Sequence, residues 1–308
     1  MGGRIIVPPS FAEVRANWAG DAAAAEAEAL ARLGESYLDR WDLTPDGAAM
    51  HGMASLIQPV RRADGSPGVL KVPVIDIDQP GEAAALRAWD GDGAVRIYDE
   101  DPHTWVMLLE RLEPRDLEHF KDDLSATRIL CALLRRLHAH AAPSGIPRLA
   151  DVAAKMVADA PGAATRFDDP AQGRVLRYWA DATAEVLGEA GDRPLHWDLH
   201  FENVLAAERE PWLAIDPKPL LGDPAFDVLP ALGNRWDEIV ASGDPARAVR
   251  RRYDLMIDEL ALEPQGALAW TYARLLQNAI WQAEDGDTAI DAKQLLISEA
   301  IGNRQSSM

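Results

Sequence analysis

Residues 195–205 read Leu-His-Trp-Asp-Leu-His-Phe-Glu-Asn-Val-Leu, and residues 212–218 read Trp-Leu-Ala-Ile-Asp-Pro-Lys. No other part of the chain constrains it as strongly. The first segment has the form His-x-Asp-Leu-x-x-x-Asn, and the second is an apolar strand that ends on a carboxylate. Three oxygen-bearing side chains are thereby set at fixed spacing. Asp198 can accept a proton. Asn203, five residues on, can turn back and offer its amide oxygen to a hard divalent cation. Asp216 follows 13 residues after Asn203.

The stretch 194–217 is strand-rich, and the sequence on either side of it is organised differently. Residues 11–37 are rich in Ala and Glu with few breakers, and read as one or two helices with Phe11, Val14 and Trp18 on one face. Residues 56–60 and 69–72 read as two strands joined by the turn 63–68, which makes a hairpin. Residues 80–89 read as a helix, and 94–98 and 105–109 as two further strands. After Pro114 the sequence becomes helical. Within residues 116–140, Leu130, Leu134 and Leu137 recur at spacings of four and three, the mark of an amphipathic helix. Residues 148–160 and 171–189 read the same way, and helices fill the chain beyond residue 217, with loops near 242–245, 263–266 and 285–287.

The 308 residues suffice for two lobes that each bury a core. There are 50 acidic and 31 basic side chains, a formal net charge of -19. Such a field repels phosphodiester backbones and anionic membrane surfaces and attracts cations. It argues against nucleic-acid or membrane partners and suits a small cationic substrate, although acidic surfaces also serve solubility. The one cysteine, Cys131, lies among Leu130, Leu133 and Leu134 and reads as a buried thiol, neither a disulfide partner nor a zinc site. The N-terminus lacks the apolar core of a signal peptide, and no apolar run approaches membrane-spanning length, so the expected location is cytoplasmic.

The pattern at 196–203 is that of a kinase catalytic loop. In phosphoryl transfer the protein mainly positions groups and neutralises charge, which is the work oxygen ligands and a lysine do. Lys71 lies inside an apolar strand and can reach the phosphates of ATP while pairing with Glu82 at the start of the next helix. The plainer alternative is a lysine on an edge strand that points to water. Residues 43–53, with Gly47 and Gly52 but no Gly-x-Gly-x-x-Gly, should cover the phosphates. Residues 109–112 leave the last strand of the sheet, where the carbonyl of Glu110 and the amide of Leu112 can bind adenine. A metallohydrolase built on His196, Asp198 and His200 is the competing reading, but the other histidines form no second cluster except the pair His138 and His140, which ends a helix and suits its dipole there. The expected architecture is α/β, a bilobal protein-kinase-like fold. Residues 1–110 form a small nucleotide-binding lobe of antiparallel sheet plus helix, with a helical extension at 11–37. Residues 111–308 form a larger, mainly helical catalytic and substrate-binding lobe.

Residues 196–203, 212–218 and Gly-Asp-Pro-Ala-Phe-Asp at 222–227 resemble the aminoglycoside phosphotransferase family, in particular its streptomycin 6-kinase and hydroxyurea phosphotransferase branch. Residues 108–112 and the pair Leu137, His138 add to the resemblance, which spans roughly residues 40–285. It implies transfer of the γ-phosphate of ATP, with magnesium, to a hydroxyl of a small polar molecule such as streptomycin. On the same grounds Asp198 is the base, Asn203 and Asp216 are metal ligands, Lys71 binds phosphate, and His196 and Asp227 support the catalytic loop. Many members of the family have Gly where this chain has Trp197, and an aromatic ring beside the base would reshape the acceptor pocket. The C-terminal helices offer Trp236, Asp237, Trp281, Glu284 and Asp285 as acceptor contacts, since acids beside aromatic faces suit an ammonium or guanidinium group. The alternatives are a kinase acting on a sugar, a metabolite or another antibiotic, and a nucleotide-binding module without catalysis.

Overall fold

The computed structural model describes residues 4–74 and 81–302, without the side chains of Asn17 and Trp18. The expected contribution of Trp18 and the helix start at Pro80 lie outside this set. The chain divides into two compact units, Met1–Gly91 with Val95–Glu113, and Asp92–Ala94 with Pro114–Met308.

The first unit opens with helices α1 (Pro9–Ala19) and α2 (Ala23–Arg40). Strands β1 (Thr44–Pro45), β2 (Met50–His51), β3 (Ser55–Arg61) and β4 (Pro67–Pro73) follow, then helix α3 (Glu82–Trp89) and strands β5 (Ile97–Glu100) and β6 (Met107–Glu110). They form an antiparallel sheet of order β1-β3-β4-β6-β5, with β2 also paired to β3. Strand alternation sorts the side chains. Leu56 and Val60 of β3 and Leu70 and Val72 of β4 are fully buried, in one core with Tyr37 and Leu38 of α2. Helix α2 approaches closely at Gly34, where an added Cβ would lie 2.7 Å from Ile5 Cδ1 and 3.1 Å from Val72 Cγ2. Lys71, between Leu70 and Val72, stands on the opposite face of the sheet, in register with Ile57 and Met107.

The two later strands start further along than the sequence indicates. Gly93 has φ +81° and Ala94 forms a bridge with Ala214 in the second unit, so β5 begins only at Ile97. Trp105 has φ +56°, which no strand residue adopts, so β6 begins at Met107. The turn between them is pinned by Asp101, whose carboxylate accepts from Tyr37 Oη at 2.7 Å, from the His103 amide at 2.9 Å and from Arg40 Nη1 at 2.5 Å.

The second unit is mainly helical: α4 (Asp123–Ala139), α5 (Leu149–Ala163), α6 (Pro170–Val186), α7 (Leu229–Leu232), α8 (Trp236–Ala241), α9 (Pro245–Leu260), α10 (Pro264–Glu284) and α11 (Ala292–Gly302). The helix expected from residue 116 starts at Asp123, because the Asp122 carboxylate caps it by accepting from the Ser125 amide at 2.8 Å. Helix α10 is buried on nearly all sides, with Trp270, Leu275, Leu276 and Ala279 at or below 1% exposure, and packs on α5, α6 and the short turn Pro224–Asp227. Buried Arg252 donates to the carbonyls of Ala231 at 2.9 Å and Asn234 at 2.8 Å, closing the end of α7. Two small two-stranded sheets sit among the helices. Strand β7 (Arg193–Leu195) pairs with β10 (Leu220–Gly222), and β8 (Val204–Leu205) with β9 (Leu213–Ala214).

The Asp101 cluster has a consequence that pH reveals. The Tyr37 hydrogen bond, the His103 amide and Arg40 hold this carboxyl at about 2, against an ordinary 3.8. The stability it contributes is therefore complete above about pH 4 and is lost as pH falls toward 2. Asp101→Asn should lower the melting temperature at pH 7, and its gap from the wild type should shrink between pH 4 and pH 2. A gap that stays constant down to pH 2 would count against this ionic pin.

Candidate active site

In the first unit, the isolated cation of β4 has a partner. Lys71 Nζ donates to Glu82 Oε1 at 2.6 Å, and the two residues are 5% and 6% exposed. Glu82 is the first residue of α3, where the helix dipole also favours a carboxylate. The segment at residues 43–53 is two short strands, β1 and β2, around a bend. The bend is held from below by Gln58, whose Nε2 donates to the Gly47 carbonyl at 3.0 Å. Gly47 has φ +137°, a conformation that excludes side chains other than glycine's at little cost. Arg61 and Arg111 clamp Asp46 at 3.0 and 2.7 Å. Glu110 ends β6, with its amide donating to the Arg96 carbonyl at 2.8 Å, and half-buried Leu112 follows in the segment that leaves the sheet.

In the second unit, the segments 195–205 and 212–218 are knotted together by backbone hydrogen bonds. The Ile215 amide donates to the Asn203 carbonyl at 2.9 Å and the Lys218 amide to the His196 carbonyl at 3.0 Å. These bonds gather Asp198, Asn203 and Asp216 into one region, as the spacing requires. Asn203 closes a short turn, Phe201–Asn203, and its Nδ2 donates to the Asp198 carbonyl at 3.0 Å. Its amide nitrogen is thus committed, which leaves the oxygen as the donor end for a ligand. Lys218 Nζ holds Asp198 Oδ2 at 2.8 Å, a contact that sequence reasoning missed, although Lys218 stands only two residues after Asp216.

The loop is held by a buried carboxylate. Asp227, at 0% exposure, accepts from the amides of His196 at 3.0 Å and Trp197 at 2.5 Å, and from His138 Nε2 at 2.8 Å. Trp197 has φ +66°, a left-handed conformation that costs an L-residue roughly 1–2 kcal/mol. Its ring is fixed by Phe226 and Trp281, both with centroids 6.4 Å away, and its Nε1 donates to Gln277 Oε1 at 3.1 Å. Burial pushes the His196 pKa down, so the ring stays neutral. Its Nε2 donates to the Ile215 carbonyl at 3.0 Å. The metallohydrolase arrangement is absent: among the described residues no group of three or more His, Cys, Asp or Glu is placed to hold a metal.

Asp198 opens into a cavity of about 450 Å³ within this unit, lined also by Glu118, Glu202, Trp236, Arg274 and Lys293. Of the proposed acceptor contacts only Trp236 lines it. Asp237 follows Trp236 on α8 and is turned out to solvent, and Glu284 and Asp285 are exposed at the C-terminal end of α10. Trp281 does not line it but packs its ring on Trp197 and on the Arg274 guanidinium, 5.2 Å from the ring centroid. Lys293, whose pKa burial lowers, donates to the Gly233 carbonyl at 2.7 Å and lies 5.2 Å from the Trp236 ring. Glu118, Arg274 and Lys293 carry no local sequence signature.

A sheet carrying a buried Lys–Glu pair, followed by a helical unit with this loop, defines the class of kinase-like small-molecule phosphotransferases. The fold agrees: the apo thermostable mutant of aminoglycoside phosphotransferase APH(4)-Ia superposes with a TM-score of 0.58 over 88% of this chain and 99% of its own, at 13% identity. The family of aminoglycoside/hydroxyurea antibiotic resistance kinases matches residues 40–286. A streptomycin 6-kinase of Streptomyces glaucescens is 49% identical over 296 residues, 96% of each chain. A hydroxyurea phosphotransferase of Kitasatospora aureofaciens is 44% identical over 307 residues, 99% of this chain and 88% of its own. The chain belongs to the aminoglycoside/hydroxyurea antibiotic resistance kinase family, a membership that carries ATP use.

Replacing Asp227 with alanine would strand two buried amides and one imidazole donor, at about 1–3 kcal/mol for each unsatisfied group. Since 1 kcal/mol moves the melting temperature of a unit this size by roughly 2–4 °C, Asp227→Ala should melt at least about 6 °C below the wild type by calorimetry. His138→Ala, which removes a single donor, should cost much less. Equal losses in the two variants would show that the backbone amides are not what this carboxylate holds.

Proposed function

We propose that this protein phosphorylates streptomycin at its 6 position with MgATP and so confers resistance to it. The observation that carries the reading is the 49% identity to a streptomycin 6-kinase across 96% of both chains. Acceptor hydroxyl oxygen attacks the γ-phosphorus. The bond from phosphorus to the bridging oxygen breaks with its electron pair passing to ADP, and the acceptor proton passes to Asp198. Lys218 occupies Asp198 Oδ2 at 2.8 Å, which leaves the other carboxylate oxygen for that proton. Lys71, oriented by Glu82, binds the donor phosphates, and the carbonyl of Glu110 and the amide of Leu112 bind adenine. In this assignment residues 1–110 serve the nucleotide, and residues 111–308 serve catalysis and the acceptor.

Asn203 and Asp216 would hold magnesium. Two oxygen donors fit an ion that keeps most of its coordination for phosphate and water. When bound, the ion neutralises phosphate charge. His196 and Asp227 act on the reaction only by fixing the backbone from which Asp198 projects. Trp236, with Glu118 and Glu202, offers the cavity an aromatic face and acids for a cationic acceptor. Dependence on ATP points to the cytoplasm. No helix among the described residues is long and apolar enough to cross a membrane.

Hydroxyurea is the second candidate acceptor, on 44% identity to a hydroxyurea phosphotransferase. The cavity of about 450 Å³ favours the larger molecule, because drug-sized ligands occupy sites of roughly 300–1,000 Å³. Incubation with ATP and each acceptor, followed by mass spectrometry, separates the two. One added phosphate on streptomycin, mapped to position 6 by fragmentation, is expected. Phosphate appearing on hydroxyurea alone would overturn the assignment.

A further inference from the structure

The cavity beside Asp198 carries charges of both signs, and the cationic side has no evident use for a cationic acceptor. Arg274 of α10 is 8% exposed. Its Nη1 donates to Gln277 Oε1 at 3.0 Å and to Asn278 Oδ1. Among the described residues Nε has no hydrogen-bond partner, and no carboxylate lies within ion-pair distance of the guanidinium. The rings of Trp197 and Trp281 lie 6.0 and 5.2 Å from it. Burial lowers its pKa to about 10, opposed by the charges of Asp198 and Asp227, so it remains a cation at neutral pH.

A buried guanidinium with no carboxylate at ion-pair distance is costly, and its retention suits an anion that arrives from outside. The same cavity is also lined by Glu118, whose Oε2 is buried without a partner, and by Glu202. The acids suit a cation, whereas the guanidinium would repel one. The anion that the reaction itself brings beside Asp198 is the phosphoryl group. A phosphorylated cationic acceptor is a zwitterion, and its two charges match a cavity lined by both acids and Arg274.

We propose that Arg274 binds the phosphoryl oxygens as the group passes to the acceptor, and then the phosphate of the ester product, while Glu118 and Glu202 take the cationic end. The claim rests on the phosphotransferase reading above. It also accounts for Trp197. The indole Nε1 shares Gln277 Oε1 with Arg274, and the ring helps cover the guanidinium, so a bulky residue serves here despite its left-handed backbone. Planar, pre-oriented donors are the kind that stabilise developing charge.

The test combines turnover with binding. With streptomycin and MgATP, Arg274→Gln should lower kcat roughly 10²-fold, with KM for streptomycin changing less than about threefold. Arg274→Lys, which keeps the charge but not the fork, should lose only about tenfold. Inorganic phosphate titrated calorimetrically into the protein without nucleotide or acceptor should bind the wild type at least about tenfold more tightly than Arg274→Gln. Unchanged kcat, a rise in KM alone, or equal phosphate binding would overturn the proposal. A wild type that leaves streptomycin unmodified would sink the acceptor assignment, while the phosphate titration would still decide the role of Arg274. Should Arg274→Gln fail to fold, Arg274→Lys is read in both measurements, and wild-type values there would count against the proposal.

Discussion

Burial of the Asp227 carboxylate is the interaction on which the catalytic segment depends. An ionised carboxylate at 0% exposure is tolerable only with its oxygens occupied, and three donors occupy them: the amides of His196 and Trp197 and the His138 ring. Two of the three are backbone groups, so the carboxylate fixes the main chain where Trp197 turns through φ +66° and Asp198 follows. His196, kept neutral by burial, passes the constraint on by donating to the Ile215 carbonyl. Ile215 in turn donates its amide to the Asn203 carbonyl and precedes Asp216. Every oxygen assigned a chemical task in the second unit is therefore within a few bonds of one buried anion.

The first unit solves a related problem differently. Its sheet needs one apolar face for α2, and strand alternation supplies it with Leu56, Val60, Leu70 and Val72. The same alternation places Lys71 on the other face, where its ammonium is buried against Glu82. A lysine flanked by core residues is an anomaly in a soluble sheet unless its charge is paired. Lys71 was readable only together with the segment 195–218, since a lysine inside an apolar strand also fits a solvent-facing edge position, and Glu82 is the first residue of α3.

Legibility in the sequence followed the range of the interactions. The three oxygens of the second unit were readable because a short loop and a short strand place them, and their spacing is local. His138 was visible only as part of a resemblance, since its bond to Asp227 spans 89 residues. Arg274 and Glu118 were invisible: each is an ordinary charged residue by composition, and only packing reveals a guanidinium beside two indoles or a carboxylate oxygen with no donor. Asp237, Glu284 and Asp285 were chosen for charge beside aromatics, but helical phase and a helix end turn them to solvent. The two misplaced strand starts share one cause, left-handed residues at Gly93 and Trp105, and a tryptophan gives no warning of such a conformation. Net charge was also a poor guide to the cavity, which holds Arg274 and Lys293 in a chain of net charge -19.

The central claim is that Asp198 serves the chemical step and not the binding of nucleotide. Asp198→Asn preserves the side-chain shape and the backbone carbonyl that Asn203 bonds, while removing basicity and the charge that Lys218 pairs with. The decisive measurement is paired on the two proteins: steady-state phosphoryl transfer to an accepted substrate, and MgATP affinity by calorimetry. The account predicts a loss of turnover of roughly 10²–10⁴-fold, the usual contribution of a positioned base, with ATP affinity nearly unchanged. Turnover that survives the substitution, or nucleotide binding lost along with it, would contradict the account.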